Sequence, residues 1–158
     1  IALAELAKNV REIPDGCDAG NPSVKGDCGP EVNKYTDGTL EYWCADFVSW
    51  VYREAGTPFT GGSSGGWRIP AVSSVEAWFK KNGTWTPNGK NVDPQPGDVI
   101  TYTFSHVGIV EKVEGETLTV ISGNTGVDGS NNGKGVGRDT HENFRSHSQI
   151  VGFGSLNR

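Results

Sequence analysis

Six side chains in this sequence have the chemistry of nucleophiles or general bases near neutral pH: Cys17, Cys28 and Cys44, and His106, His141 and His147. Cys44 stands apart by its position. It follows the turn-prone stretch Asp37 to Thr39 and the aromatics Tyr42 and Trp43, and it opens a run with helical spacing. Unpaired N–H groups and the positive end of a helix dipole favour a thiolate there, and a thiolate is a nucleophile. Asp46 in the same first turn pulls the other way, so a partner able to become cationic is needed. On position alone, a buried structural cysteine of a core helix fits equally well. Cys17 and Cys28 lie in a polar, turn-rich segment without apolar flanks, a setting for a disulfide. Closing that short loop would stabilise the fold by about 3 kcal/mol or less in an oxidising environment. The alternative is three reduced thiols.

Among the histidines, His141 and His147 sit with Asp139, Glu142, Asn143 and Ser146, where a solvated surface role is the default reading. His106 opens a run in which Val107 and Ile109 face a core, and a base at a rigid strand end keeps a fixed distance to its nucleophile. A hairpin would bring it a third group. With a three-residue loop at Val113, Glu114 and Gly115, Lys112 faces Glu116, Val110 faces Leu118 and His106 falls opposite Ser122, with Asn124 on the same face one pair on. Either could orient the imidazole; Asn124 is favoured because its amide oxygen reaches further. A two-residue loop would flip the faces and break this arrangement.

These residues need elements to hold them. Leu3, Leu6, Ala7 and Val10 predict an amphipathic helix over 2–11, stopped by Pro14, Asp15 and Gly16. Phe47, Val48, Val51 and Ala55 predict a second helix over 44–55, ended by Gly56. Ser73 and Glu76 read as a capping box for a third, carrying Val75, Trp78 and Phe79. After Pro94 and Pro96 the runs 99–104, 107–113, 117–121 and 150–153 are β-branched and aromatic, and read as strands. Helices first and antiparallel strands afterwards give an α+β domain, with N-terminal helices packed on a C-terminal antiparallel β-sheet. One domain over 1–158 accommodates the chain, since 158 residues can bury roughly 70% of the unfolded chain's surface.

Composition narrows the partners. A net charge of −5 without a basic stripe argues against nucleic acid, whose backbone is met by clustered Lys and Arg. No apolar run approaches the roughly 18 residues that cross a bilayer, so membrane insertion is not expected. The acidic stretch with Asp15, Asp18, Asp27, Glu31 and Asp37 has oxygen ligands suited to calcium but lacks EF-hand spacing; neither a metal nor a cofactor is assigned.

The run Trp43-Cys44-Ala45-Asp46-Phe47-Val48-Ser49-Trp50-Val51-Tyr52, the turn Pro96-Gly97-Asp98-Val99, and Ser105-His106-Val107-Gly108-Ile109-Val110 followed by Ile121-Ser122-Gly123-Asn124 resemble the CHAP family. These are cysteine, histidine-dependent amidohydrolases and peptidases with a papain-like fold. The stretch Gly29 to Tyr35 resembles the segment preceding the nucleophile in many members. The resemblance implies Cys44 as nucleophile, His106 as base and a polar third residue, Asn124, in a Cys-His-Asn arrangement. Many members carry Glu where this chain has Ser122.

It further implies an amidase or endopeptidase acting on bacterial peptidoglycan, secreted or extracellular, and working as a monomer. Tyr35 and Trp43, with Tyr42 and Trp67, are the aromatics that could line a substrate groove beside Cys44, while plain packing in the core or on the surface is the default reading for any one of them. The rival from another class is a noncatalytic wall-binding module that keeps the fold. A protease on protein substrates and a transglutaminase-like acyl transfer share the same two central residues.

Overall fold

The computed structural model of the chain describes residues 1–13, 17, 26–125 and 134–156. Helix α1 spans Ala2–Ala7 and is shorter than its apolar spacing predicts, because Asn9 turns left-handed at φ 55°. The chain then extends: Arg11 bridges Gly135, and the Glu12 N–H donates to the Lys134 carbonyl at 2.8 Å. The expected stop at Pro14 to Gly16 lies outside the described residues. A single-turn helix α2, Asn33–Thr36, forms within the stretch read as loop, and Asp37 closes it in the left-handed region.

Helix α3, Cys44–Glu54, is central. Phe47, Val48 and Val51 are buried, and Gly56 at φ 81° takes the left-handed turn that ends it. Helix α4, Val72–Asn82, starts one residue before Ser73, and no side chain caps it. The expected Ser73–Glu76 capping box therefore does not form. Glu76 instead meets Lys80 one turn on and the Thr101 hydroxyl.

Among the described residues six strands make one antiparallel sheet: β1 Thr84–Pro87, β2 Val99–Tyr102, β3 His106–Glu114, β4 Thr117–Thr125, β5 Gly135–His141 and β6 Ile150–Ser155, in the order β1-β6-β2-β3-β4-β5. This is the predicted α+β arrangement, helices first and antiparallel sheet after. The sheet buries both faces. On one side α3 packs on β3 and β4, and Val107, Ile109 and Ile121 join Phe47, Val48 and Phe79 in one core. On the other, Ile100, Tyr102, Val110, Leu118, Phe144 and Phe153 form a second core.

Strands β1 and β5 were not expected. The β1 sequence Thr-Trp-Thr-Pro is short, lies at the sheet edge and ends in a proline, a residue that edges tolerate. Strand β5 turns charged after Val136, and its outer half is exposed or half-buried at the other edge.

The hairpin between β3 and β4 corrects the predicted register. Glu114 faces Thr117 across a two-residue turn at Gly115 and Glu116, the arrangement that would flip the faces. A bulge at Glu111 undoes the flip: Lys112 faces Thr119, but Val110 faces Val120 and Ile109 faces Ile121. The bulged Glu111 is held by both guanidinium arms of Arg138, at 2.7 and 2.9 Å. Side-chain facing over Val110–Val120 and Ile109–Ile121 is thereby restored to the predicted parity with a partner two residues further on, and β4 leaves the extended conformation at Asn124, φ 51°.

Candidate active site

Cys44 is the first residue of α3 and the one free thiol of the three, because Cys17 and Cys28 form the expected disulfide. Its side chain is buried. Burial pushes the thiol up to about 11 and outweighs backbone hydrogen bonds to the sulfur from Val107, Ala45 and Cys44 itself, while the charge of nearby Asp46 adds to the rise. The helix start therefore does not hold a resting thiolate, against expectation. N–H groups point at the sulfur, but desolvation is the larger effect. The contact from Val107 is informative for another reason. It brings the sulfur to the residue directly after His106.

His106 opens β3, is buried, and has no hydrogen-bond partner at Nδ1 among the described residues. Phe104 stacks on its ring at 6.0 Å, and Tyr102, its strand partner on β2, lies tilted against it at 5.7 Å. Burial pushes its pKa down to about 4, with a smaller push from His141. Burial thus favours the neutral form of both the Cys44 thiol and the His106 imidazole.

Asn124 is buried near the end of β4 in the left-handed conformation, φ 51°, which asparagine adopts more readily than most residues. The glycine before it lets β4 press on the start of α3. A Cβ on Gly123 would lie 2.6 Å from the Phe47 Cβ and 2.7 Å from the Trp43 ring. The glycine in the Ser122-Gly123-Asn124 run is thus required by packing against the helix that begins with Cys44.

Three elements, the starts of α3 and β3 and the end of β4, thus carry Cys44, His106 and Asn124, and the CHAP domain family model matches residues 34–124, which include all three. That is more than half of the 158 residues. The chain belongs to the CHAP family. Among solved structures, a crystal structure of Ly7917 with the hydrolyzing product of MDP shares 22% identity at a TM-score of 0.45, covering 70% of this chain and 51% of that one. A second crystal structure of Ly7917 shares 23% identity at a TM-score of 0.45, covering 72% of this chain and 53% of that one. The chain spans about half the length of those chains. No curated protein matches it.

The CHAP match begins at Lys34, beside an aromatic that does not do what its position predicted. Tyr35 and Trp43 are each 0% exposed, so neither borders a groove in this structure. They stack on one another at 5.5 Å and make the floor under α3. Tyr35 donates its hydroxyl to Glu5, and Trp43 Nε1 donates to Glu12 at 2.8 Å. Trp67 lies against the Arg53 guanidinium, 4.8 Å from its centroid. Tyr42 is the exception: it is exposed and lines the cavity that opens on Cys44.

That cavity, about 360 Å³, runs between the start of α4, the Cys44 turn and the β2–β3 turn, and Glu76, Ser73, Tyr102 and Ser105 also border it. A larger space of about 470 Å³ on the far side of α4 meets it at Pro70 but holds neither Cys44 nor His106. Beneath the rim, Arg68 donates to Asp46 at 3.1 Å and pairs with Glu41. Burial and the neighbouring Glu41 push Asp46 up to about 8 even so.

Two residues near the site escaped the sequence reading. His141, read as a solvated surface group, is tied through Nε2 to the Tyr102 hydroxyl at 2.8 Å and lies 3.4 Å from Asp139. Glu76, read as a helix cap, faces the cavity. The alternation of Gly135 to His141 held a faint signal for the first, and nothing in local spacing marked the second. Among the described residues no three His, Cys, Asp or Glu side chains group as a metal site would require. Asp27 and Glu31 of the acidic stretch meet Glu12 and Lys34, Asp37 ends α2, and Asp15 and Asp18 lie outside the described residues.

Proposed function

We propose that the chain is a catalytic domain that hydrolyses amide bonds of bacterial peptidoglycan through a Cys44 thioester, with His106 as base and Asn124 orienting the imidazole. The observation that carries this reading is the placement of the one free thiol at the first residue of α3, bordering an open cavity, with the backbone of Val107, the residue after His106, close enough to act on its sulfur. Membership of a family of cysteine, histidine-dependent amidohydrolases and peptidases supports the class of reaction.

In this scheme His106 takes the thiol proton as the sulfur attacks the carbonyl carbon, forming a C–S bond. The developing oxyanion is met by first-turn N–H groups including that of Cys44. Collapse breaks the C–N bond, the imidazolium gives its proton to the departing amine, and the thioester remains. Neutral His106 then draws a proton from water as the water attacks, and the acid is released with the thiol restored. An uncharged resting pair suits this sequence, because the base arrives unprotonated and proton transfer waits for substrate. The disulfide fits an oxidising location outside the cell. No described helix is long and apolar enough to cross a membrane.

A noncatalytic wall-binding module is the second reading, and what favours it is the missing carboxylate support for His106, since this chain has Ser122 where many members carry an acid. Release of new amino groups from purified walls separates the two. The hydrolase reading expects release by the wild-type chain and none from Cys44→Ala, with wall binding kept in both. Equal absence of release with binding intact would leave the binding module. Mass spectrometry of the fragments assigns the bond: stem peptides freed whole from glycan mean an amidase, shortened stems an endopeptidase.

A further inference from the structure

Among the described residues, the cavity at Cys44 has one charged side chain in its lining, and that group is acidic. Glu76 borders it together with Tyr42, Ser73, Tyr102 and Ser105, and among the described residues no Lys, Arg or His side chain is part of the wall. The cation nearest in sequence to the rim, Arg68, is only 14% exposed and is already committed to Glu41 and Asp46. Glu76 also has spare capacity. Its Oε1 takes the Lys80 ammonium at 2.6 Å from the solvent side, while Oε2 has only a long 3.5 Å contact from the Thr101 hydroxyl. A carboxylate can accept about four hydrogen bonds. The chain's own lysine thus shows that an ammonium fits this carboxylate.

Resting on the hydrolase reading above, we infer that Glu76 is a specificity residue that binds a primary ammonium group of the substrate close to the scissile amide. Substrates with a free amine there are favoured over those whose nearest charge is a carboxylate. In a wall peptide such an ammonium is either the side-chain amine of a diamino acid or the free N-terminus of a peptide arm. Both are the same chemistry to a carboxylate, and acetylation removes the charge from either.

The test uses soluble wall peptides in matched sets: both amines free, the side-chain amine acetylated, or the terminal amine acetylated. Wild-type chain is expected to lose about fivefold in kcat/KM, through KM, on the peptide whose recognised amine is blocked, the scale of a partly exposed ion pair. Glu76→Gln should equalise the set, chiefly by a rise in KM for the peptide whose recognised amine is free. Lys80→Ala, which frees Oε1, should widen the preference. Binding of the same peptides to Cys44→Ala provides a readout independent of turnover. Equal binding and equal turnover of free and acetylated peptides would overturn the assignment of Glu76 and leave the hydrolase standing. A binding preference retained by Cys44→Ala and lost in Cys44→Ala/Glu76→Gln, in a chain whose wild type hydrolyses nothing, would uphold Glu76 and overturn the hydrolase.

Discussion

Two buried polar centres lie on either side of Tyr35 and Trp43, and they are built in opposite ways. At the N-terminal centre Glu5 is buried beneath Lys8 and Lys34, each at 2.7 Å, and accepts the Tyr35 hydroxyl. Burial alone would raise its pKa, but Lys34, Lys8 and Tyr35 together hold the carboxyl below its usual range. At the Cys44 centre burial prevails: the thiol moves up, the imidazole moves down, and Nδ1 of His106 lacks a partner among the described residues. A buried group given its counter-charges fastens one element to another. A buried pair denied them stays neutral and ready to exchange a proton, which is how perturbed groups mark candidate sites.

Exchanging these two characters should have very different consequences, and the largest concerns the base. His106→Ala is expected to lower amide hydrolysis by about a thousandfold, within the range for a general base, with little change in folded content by circular dichroism. Asn124→Ala should cost about a hundredfold in kcat, and Asn124→Asp should recover part of it, because a carboxylate can also hold the imidazole N–H. If Asn124→Ala leaves kcat unchanged, Ser122 or another group orients the ring.

At the N-terminal centre the loss should appear in stability and not in turnover. Glu5→Gln removes the charge that two lysines share, and unfolding in urea should show a loss of about 2 kcal/mol, below the usual cost of breaking a fully buried pair because Lys8 is half exposed. The specific activity of the folded fraction should stay near that of the wild type. A large fall in activity would mean that the two centres are coupled through Tyr35 and Trp43.

The smallest effect is a pH dependence with a definite sign. Asp27 is pushed up to about 8 by burial and by Glu12, and Asp46 to about 8 by burial and Glu41. A folded pKa above the unfolded value means that the native state binds more protons between about pH 4 and pH 8, so stability from these groups is present below that window and drains away as pH rises through it. Glu5 acts in the other direction, its contribution being lost as pH falls below its unfolded value of 4.5. Asp27→Asn should therefore come nearest the wild-type Tm at or below about pH 4 and exceed it by a margin that grows up to about pH 8. A Tm difference that stays flat across that range would contradict a raised Asp27 pKa.

What the sequence disclosed follows the same division. Helix α3 was legible because Phe47, Val48 and Val51 face one core at helical spacing, and β3 and β4 because their β-branched runs are buried on both faces. Strand β5 was not, since Arg138, Asp139 and His141 alternate as a sheet edge does and read as loop. The register of β3 against β4 was hidden by two local departures, a two-residue turn and a bulge at Glu111, whose effects on side-chain facing cancel. Tyr35 and Trp43 were misplaced because an aromatic beside a nucleophile looks the same in sequence whether it lines the cleft or supports it. Glu76 escaped because its partners, Lys80 apart, come from elsewhere in the fold.

Alkylation of the single free thiol tests the central claim most directly. With Cys17 and Cys28 bridged and no reductant present, iodoacetamide has one cysteine to modify, and intact mass counts the label. Labelling should be slow at pH 7 and quicken toward pH 11, and turnover of wall peptides should fall in proportion to the fraction of Cys44 modified. Full turnover by a chain carrying one label per molecule would contradict the account.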